Sequence, residues 1–114
     1  MSEYPVRMRS EALKGHLDLL VLSVLHNAPA HGYAVIHRLA DQSGGAFDLP
    51  EGTIYPALYR LERTGLLASD ESVVDGRRRR VYRLTPAGEE ALGERVGEWE
   101  QFARSVARTL AAGT

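Results

Sequence analysis

The sequence predicts a mostly α-helical chain with one small β-hairpin, arranged as a helix-turn-helix followed by the hairpin and a long C-terminal helix. Three observations carry this. Apolar residues recur at steps of three and four in four separate stretches, which is the period of a helix with one inward face. Asp75-Gly76 lies between two extended runs and is a strong two-residue hairpin signal. Glycine or proline stands at the stretch boundaries, at Pro29, Gly44-Gly45, Gly65 and Pro86.

At 114 residues the chain has the length of one domain with a modest core, near the size where burial against a partner helps. No apolar run is long enough to cross a bilayer, and the N-terminus lacks a signal-peptide layout. There is no cysteine, which removes disulfides, thiolate catalysis and cysteine-type zinc sites. A cytoplasmic setting is the expectation. The net charge of −1 argues weakly against a nucleic-acid partner, but the charges are segregated. Arg77, Arg78, Arg79, Arg80 and Arg83 have no acid among them, whereas Glu89, Glu90, Glu94, Glu98 and Glu100 crowd the next segment. Local field, not the sum, steers a polyanion.

Residues 1–10 are short and polar, with Arg7 and Arg9, and read as a flexible arm. Glu11 to Asn27 reads as the first helix. Leu13, Leu17, Leu20, Val21, Val24 and Leu25 keep the core spacing, while Leu19 and Leu22 extend the apolar surface round the other side. A helix apolar nearly all round needs cover on two sides, and a second subunit is the simplest outer cover. Asn27 to Ala30 breaks the helix. His31-Gly32-Tyr33 opens the next one, which runs to about Ser43 with Ala34 or Val35, Ile36, Leu39 and Ala40 inward. Phe47 and Leu49 in the connector plug the core.

Pro50 to Leu67 holds the helix around which the chain is organised. Ile54, Ala57, Leu58 and Leu61 share one side; Pro56, Tyr59, Arg60 and Arg63 take the other, with Tyr55 at the border. Two starts are open. Thr53 as N-cap would put Pro56 in the first turn, where its missing N–H costs little; a start at Pro50 would put it in the interior and kink the helix. Gly65 fits the stop.

Leu66 to Thr85 reads as the hairpin. The Asp75-Gly76 turn sets Val74 opposite Arg77, Glu71 opposite Arg80, Ser69 opposite Tyr82 and Leu67 opposite Leu84. Leu67, Tyr82 and Leu84 then face the helices. Glu71 and Arg80 form a cross-strand pair worth up to about 1 kcal/mol. Four consecutive arginines at a hairpin tip exceed what solubility needs and point to phosphate contact.

Thr85 caps the last helix, with Pro86 at its first position. Leu92, Val96, Trp99, Ala103, Val106 and Leu110 then step by 4, 3, 4, 3, 4, a heptad seam weakened by Gly93 and Gly97. A helix of about 25 residues is about 37 Å long, more than a domain this small can cover. Its excess is expected to pack on a second copy together with Leu19 and Leu22, giving a two-fold homodimer. Trp99 either packs that seam or walls a cavity for a small, flat aromatic effector.

Combined, these motifs resemble the PadR family of bacterial transcriptional regulators. The resemblance runs through residues 11–20, His31-Gly32-Tyr33, residues 51–62, Gly65-Leu66-Leu67 and residues 75–88. It departs at Pro50, where members often carry a capping serine. It implies a winged helix-turn-helix: a three-helix core, a two-stranded wing and a long C-terminal dimerisation helix. Residues 11–85 would form the DNA-binding domain and 86–114 the dimerisation helix. It implies operator binding, usually as a repressor, and some relatives bind aromatic compounds between subunits.

On this reading the helix enters the major groove, with Arg60 and Arg63 on bases or flanking phosphates. Thr53, Tyr55 and Tyr59 suit phosphate oxygens or thymine methyls. Arg77, Arg78 and Arg79 reach the backbone or minor groove. A protein-interaction adaptor on the same fold is the alternative. No nucleophile elbow, phosphate loop or paired-carboxylate motif suggests an enzyme, and no cofactor is implied. His16, His26, His31 and His37 lack metal-ligand spacing.

Overall fold

A computed structural model describes Leu13 and residues 15–113. The expected arm at residues 1–10 and the first residues of the expected opening helix, Glu11 and Ala12, lie outside the described residues.

The elements run α1 (Leu17–Asn27), β1 (Ala30–His31), α2 (Gly32–Gln42), α3 (Glu51–Arg63), β2 (Leu67–Val74), β3 (Arg77–Leu84) and α4 (Pro86–Ala112). Helices α1, α2 and α3 pack around one core in which Val21, Leu22, Val35, Ile54, Leu58 and Tyr82 are almost wholly buried. The hairpin of β2 and β3 extends from this core as a wing.

The opening helix starts later than its apolar spacing suggests. Gly15 has φ +97, outside the helical region, so α1 begins at Leu17 with His16 as its cap. Helix α2 begins where expected, and the His31 side chain caps it, its Nδ1 accepting from the Ala34 N–H at 3.2 Å. Leu49 is buried and Phe47 packs against the core, as expected of the connector.

Of the two starts open for α3, the structure adopts the earlier one: Pro50 is the cap residue and Pro56 lies inside the helix. Thr53 is therefore not the N-cap. A proline there cannot donate to the Gly52 carbonyl, so the helix runs through with one ladder bond fewer. At its far end Leu66 N–H bonds Leu61 C=O and Gly65 N–H bonds Glu62 C=O, closing the helix on a glycine at φ +84.

The hairpin has the expected register throughout, with Leu67 opposite Leu84 and Val74 opposite Arg77. Asp75 and Gly76 both take positive φ, as the type I′ turn requires. The sheet has a third strand that the pattern did not announce: β1 pairs with β3, Ala30 opposite Tyr82 and His31 opposite Val81.

Thr85 caps α4 by accepting from Gly88 N–H at 3.0 Å, while its own hydroxyl donates to the Gly65 carbonyl at 2.7 Å. One threonine thus joins the end of the third helix to the start of the fourth. The approach is close: a Cβ on Gly88 would lie 2.1 Å from the Leu66 carbonyl oxygen. Helix α4 continues for 27 residues, about 40 Å, the largest single share of the 55 Å long axis of the molecule.

Candidate nucleic-acid interface

The outward side of α3 carries Gly52, Pro56, Tyr59 and Arg63, all exposed, opposite the buried row of Ile54, Ala57, Leu58 and Leu61. Tyr59 is 54% exposed although it is a large aromatic. Burying it inward would require turning the helix against four core residues. Of the α3 side chains expected to meet DNA, the structure keeps Tyr59 and Arg63 plainly available.

The other expected contacts are differently engaged. Tyr55 is half-buried and packs on the core, with its ring against Gly32; it reaches outward only as a neighbour of Tyr59, at 6.1 Å between ring centres. Thr53 is half-buried at the helix flank. Arg60 is exposed but its guanidinium is ion-paired with Asp18 of α1.

The wing divides its arginines. Arg80 donates to the Ser69 hydroxyl at 3.0 Å, and Ser69 in turn donates to Glu62 of α3 at 2.5 Å. The expected Glu71–Arg80 pair faces correctly in register, yet no ion pair joins the two among the described residues. Arg80 is held by Ser69 instead. Arg83 pairs with Asp70 at 2.5 Å. Arg79 sits with its guanidinium carbon 5.9 Å from the centre of the Tyr33 ring, a cation–π arrangement tying the wing to α2. Arg77 and Arg78, beside the turn, are exposed and have no ion-pair partner among the described residues; nor does Arg63. Among the arginines of α3 and the wing, these three have no ion pair, side-chain hydrogen bond or ring contact among the described residues.

Behind this surface, His31 is held below its ordinary value of 6.5, first by burial and then by the Arg79 and Arg38 charges. The neutral ring is the form that caps α2, because the Nδ1 lone pair receives the Ala34 N–H. Burial likewise raises the Tyr82 phenol, so it stays protonated against the core.

A second exposed surface lies on α4. Val96, Trp99, Phe102, Val106 and Leu110 all show large apolar area, Trp99 45% exposed and Phe102 55%. Phe102 is absent from the heptad spacing, which placed Ala103 on the seam; Ala103 is half-buried. The signal for Phe102 was present in its residue type and in its step of three from Trp99. Leu19 lies beside Trp99, and with Gly15, His16, Arg95, Glu98 and Phe102 they line a groove of about 310 Å³. His16 meets Trp99 edge-on at 5.5 Å.

Two expected interface residues are corrected. Leu22 is fully buried among the chain's own core residues, and Leu92 is buried at the base of α4. Neither faces outward, because the domain itself covers the side of α1 that carries Leu22.

No helix is long and apolar enough to cross a membrane among the described residues, and no group of three potential metal ligands occurs among them.

The comparisons with known proteins agree on one kind of molecule. The family described as "Transcriptional regulator PadR-like family" matches residues 21–94. "Transcriptional regulator Rv3488" of Mycobacterium tuberculosis is 47% identical over 88 residues, 75% of this chain and 79% of that protein. A transcriptional regulator from Clostridium thermocellum has a structure similar at a TM-score of 0.79, with 27% identity, covering 87% of this chain and 97% of its own. A PadR family transcriptional regulator from Eggerthella lenta superposes with a TM-score of 0.76 at 37% identity, covering 88% of this chain and 86% of its own.

Proposed function

This chain belongs to the PadR-like family of transcriptional regulators, and on that premise we propose that it is a ligand-responsive repressor binding a pseudo-palindromic operator as a homodimer. One observation carries the reading: Tyr59 and Arg63 stand outward on α3 while Arg77 and Arg78 stand uncommitted at the wing tip.

The division of labour follows from DNA chemistry. Helix α3 lies in the major groove, where each base pair presents a distinct pattern of donors and acceptors. Arg63 can offer two parallel N–H groups to a guanine edge; Tyr59 suits a thymine methyl or a phosphate oxygen. Arg60 takes a flanking phosphate once released from Asp18. Arg77 and Arg78 contact the backbone and fix register without reading sequence. Such a regulator works in the cytoplasm, where the chromosome is accessible to it.

The exposed apolar stripe of α4 supports the dimer. Val96, Trp99, Phe102, Val106 and Leu110 would be an unusually large apolar surface to leave in water. Two copies joined across it and Leu19 by a two-fold axis present two α3 helices to half-sites about 34 Å apart. The groove beside Trp99 then closes into a cavity able to hold a planar aromatic effector, and occupation would alter the spacing of the two α3 helices. Repression is then steric, the bound dimer covering promoter DNA.

Selection of duplexes from a random pool by the full chain, followed by footprinting, tests this reading. Enrichment of an inverted repeat with a one-turn spacing is the expected result. Binding that never discriminates among duplexes at any salt concentration would favour a protein-interaction adaptor instead.

A further inference from the structure

Asp18 is the meeting point of three helices. It stands in the first turn of α1, its side chain only 21% exposed, and each of its carboxylate oxygens faces a different arginine. Arg60 of α3 pairs with Oδ1, and Arg95 of α4 approaches Oδ2 at 3.8 Å. One carboxylate therefore serves two guanidinium groups, and one positive charge is in excess.

We propose that Asp18 is a positioning residue for DNA binding, which holds Arg60 away from the duplex and releases it when Arg95 takes over the carboxylate. The inference rests on the reading of Arg60 as a phosphate contact. Arg60 lies three residues before Arg63 on α3, at the flank of the outward face, and its long side chain can turn either to Asp18 or to a bound duplex. The two positions compete. Moving Arg60 to a phosphate would strand a largely buried carboxylate, and an unpaired charge in such a place is costly. Arg95 removes most of that cost, because it is already close and lacks a better-placed partner among the described residues.

Arg95 does not lie on the outward face of α3. It lines the groove beside Trp99. The junction therefore links that groove to Arg60 through a single shared acid. By linkage, whatever draws Arg95 away from Asp18 tightens the hold on Arg60 and weakens DNA binding. A group seated in the groove that pulls the Arg95 guanidinium toward itself would act with that sign, and because Glu98 lines the same groove it has to reach Arg95 clear of that carboxylate.

A double-mutant cycle on the full chain tests the junction. Affinity is measured by fluorescence anisotropy, at fixed salt, for a duplex selected from a random pool by the native protein. Arg95→Gln is expected to weaken binding about threefold to tenfold, the size of a coupling between groups sharing one network. Arg95→Lys, which keeps a charge beside Asp18, should restore most of it. Asp18→Asn should tighten binding, and in that background Arg95→Gln should change affinity by less than about twofold. Equal losses from Arg95→Gln in both backgrounds would show that Arg95 acts only as general positive charge, and would overturn the proposal. Arg60→Gln separates the role of Arg60 from that of the junction. If it weakens binding while the cycle is additive, Arg60 is a contact and the junction is wrong. If it leaves affinity and sequence preference intact, the reading of Arg60 itself has failed. Thermal midpoints well above the assay temperature establish that each variant is folded.

Discussion

The ring of Tyr55 occupies the space that a side chain at Gly32 would need. A Cβ at position 32 would lie 2.6 Å from the Tyr55 Cε1 and Cζ atoms. This contact joins the first turn of α2 to the first half of α3. Gly32→Ala must push the Tyr55 ring aside and is expected to destabilise the protein by about 1 kcal/mol, the low end of overpacking because the displaced atoms are the tip of a side chain. Urea unfolding measures it, and Gly32→Ala combined with Tyr55→Leu should cost less than the sum of the two. Additive losses would mean that the two residues do not press on each other.

Arg77 and Arg78 alone among the wing arginines are not tied to Ser69, Asp70 or Tyr33. Replacing both by alanine should weaken binding to all duplexes alike. It should also flatten the dependence of log affinity on log salt by about 0.9 for each phosphate that the variant no longer neutralises. A salt slope equal to that of the native protein would remove these residues from the interface.

Arg63 should behave differently. Arg63→Ala is expected to cost about 1–3 kcal/mol on the preferred duplex and to relax selectivity at one position of each half-site. Repeating the selection with the variant reads this directly. Uniform loss with unchanged selectivity would reassign Arg63 to the backbone.

Helix α4 supplies a test of assembly. Phe102→Asp places a charge in the middle of the exposed stripe and disturbs nothing buried, since Phe102 is an exposed residue. Sedimentation velocity is expected to report a dimer for the native chain and a monomer for the variant, with operator affinity falling accordingly. A native chain that sediments as a monomer at micromolar concentration would contradict the dimer.

His31 predicts a response to acid. Its folded-state value lies below the ordinary 6.5, so the unfolded chain binds the proton more readily. The stability from neutral His31 is complete above about pH 6.5 and is lost as pH falls from there toward the lower folded value. Protonation also removes the lone pair that caps α2. His31→Asn, which retains a capping oxygen, should reduce the loss of stability as pH falls below about 6.5, whereas His31→Ala should cost about 1 kcal/mol at neutral pH. Thermal unfolding across this range measures both.

Much of the fold is local chemistry and could be read from the order of residues. The register of β2 and β3 follows from Asp75-Gly76, because a two-residue turn leaves one pairing for every residue beyond it. The cap at Thr85 and the buried row of α3 are likewise decided by neighbours within a turn of helix. Periodicity also established that α1 is apolar on more than one side. Only packing decided which side is inside, putting Leu22 in the core and leaving Leu19 by the groove. Strand β1 is two residues long and exists because the edge of β3 offers unpaired backbone groups to Ala30 and His31. The partners of the arginines were the least legible. Arg60 meets an acid 42 positions earlier in the chain, Arg80 a serine and not the facing glutamate, and Arg79 an aromatic ring on helix α2. Backbone pattern sets where a side chain starts, but a long flexible arginine ends wherever the folded surface places the nearest negative or π-rich group.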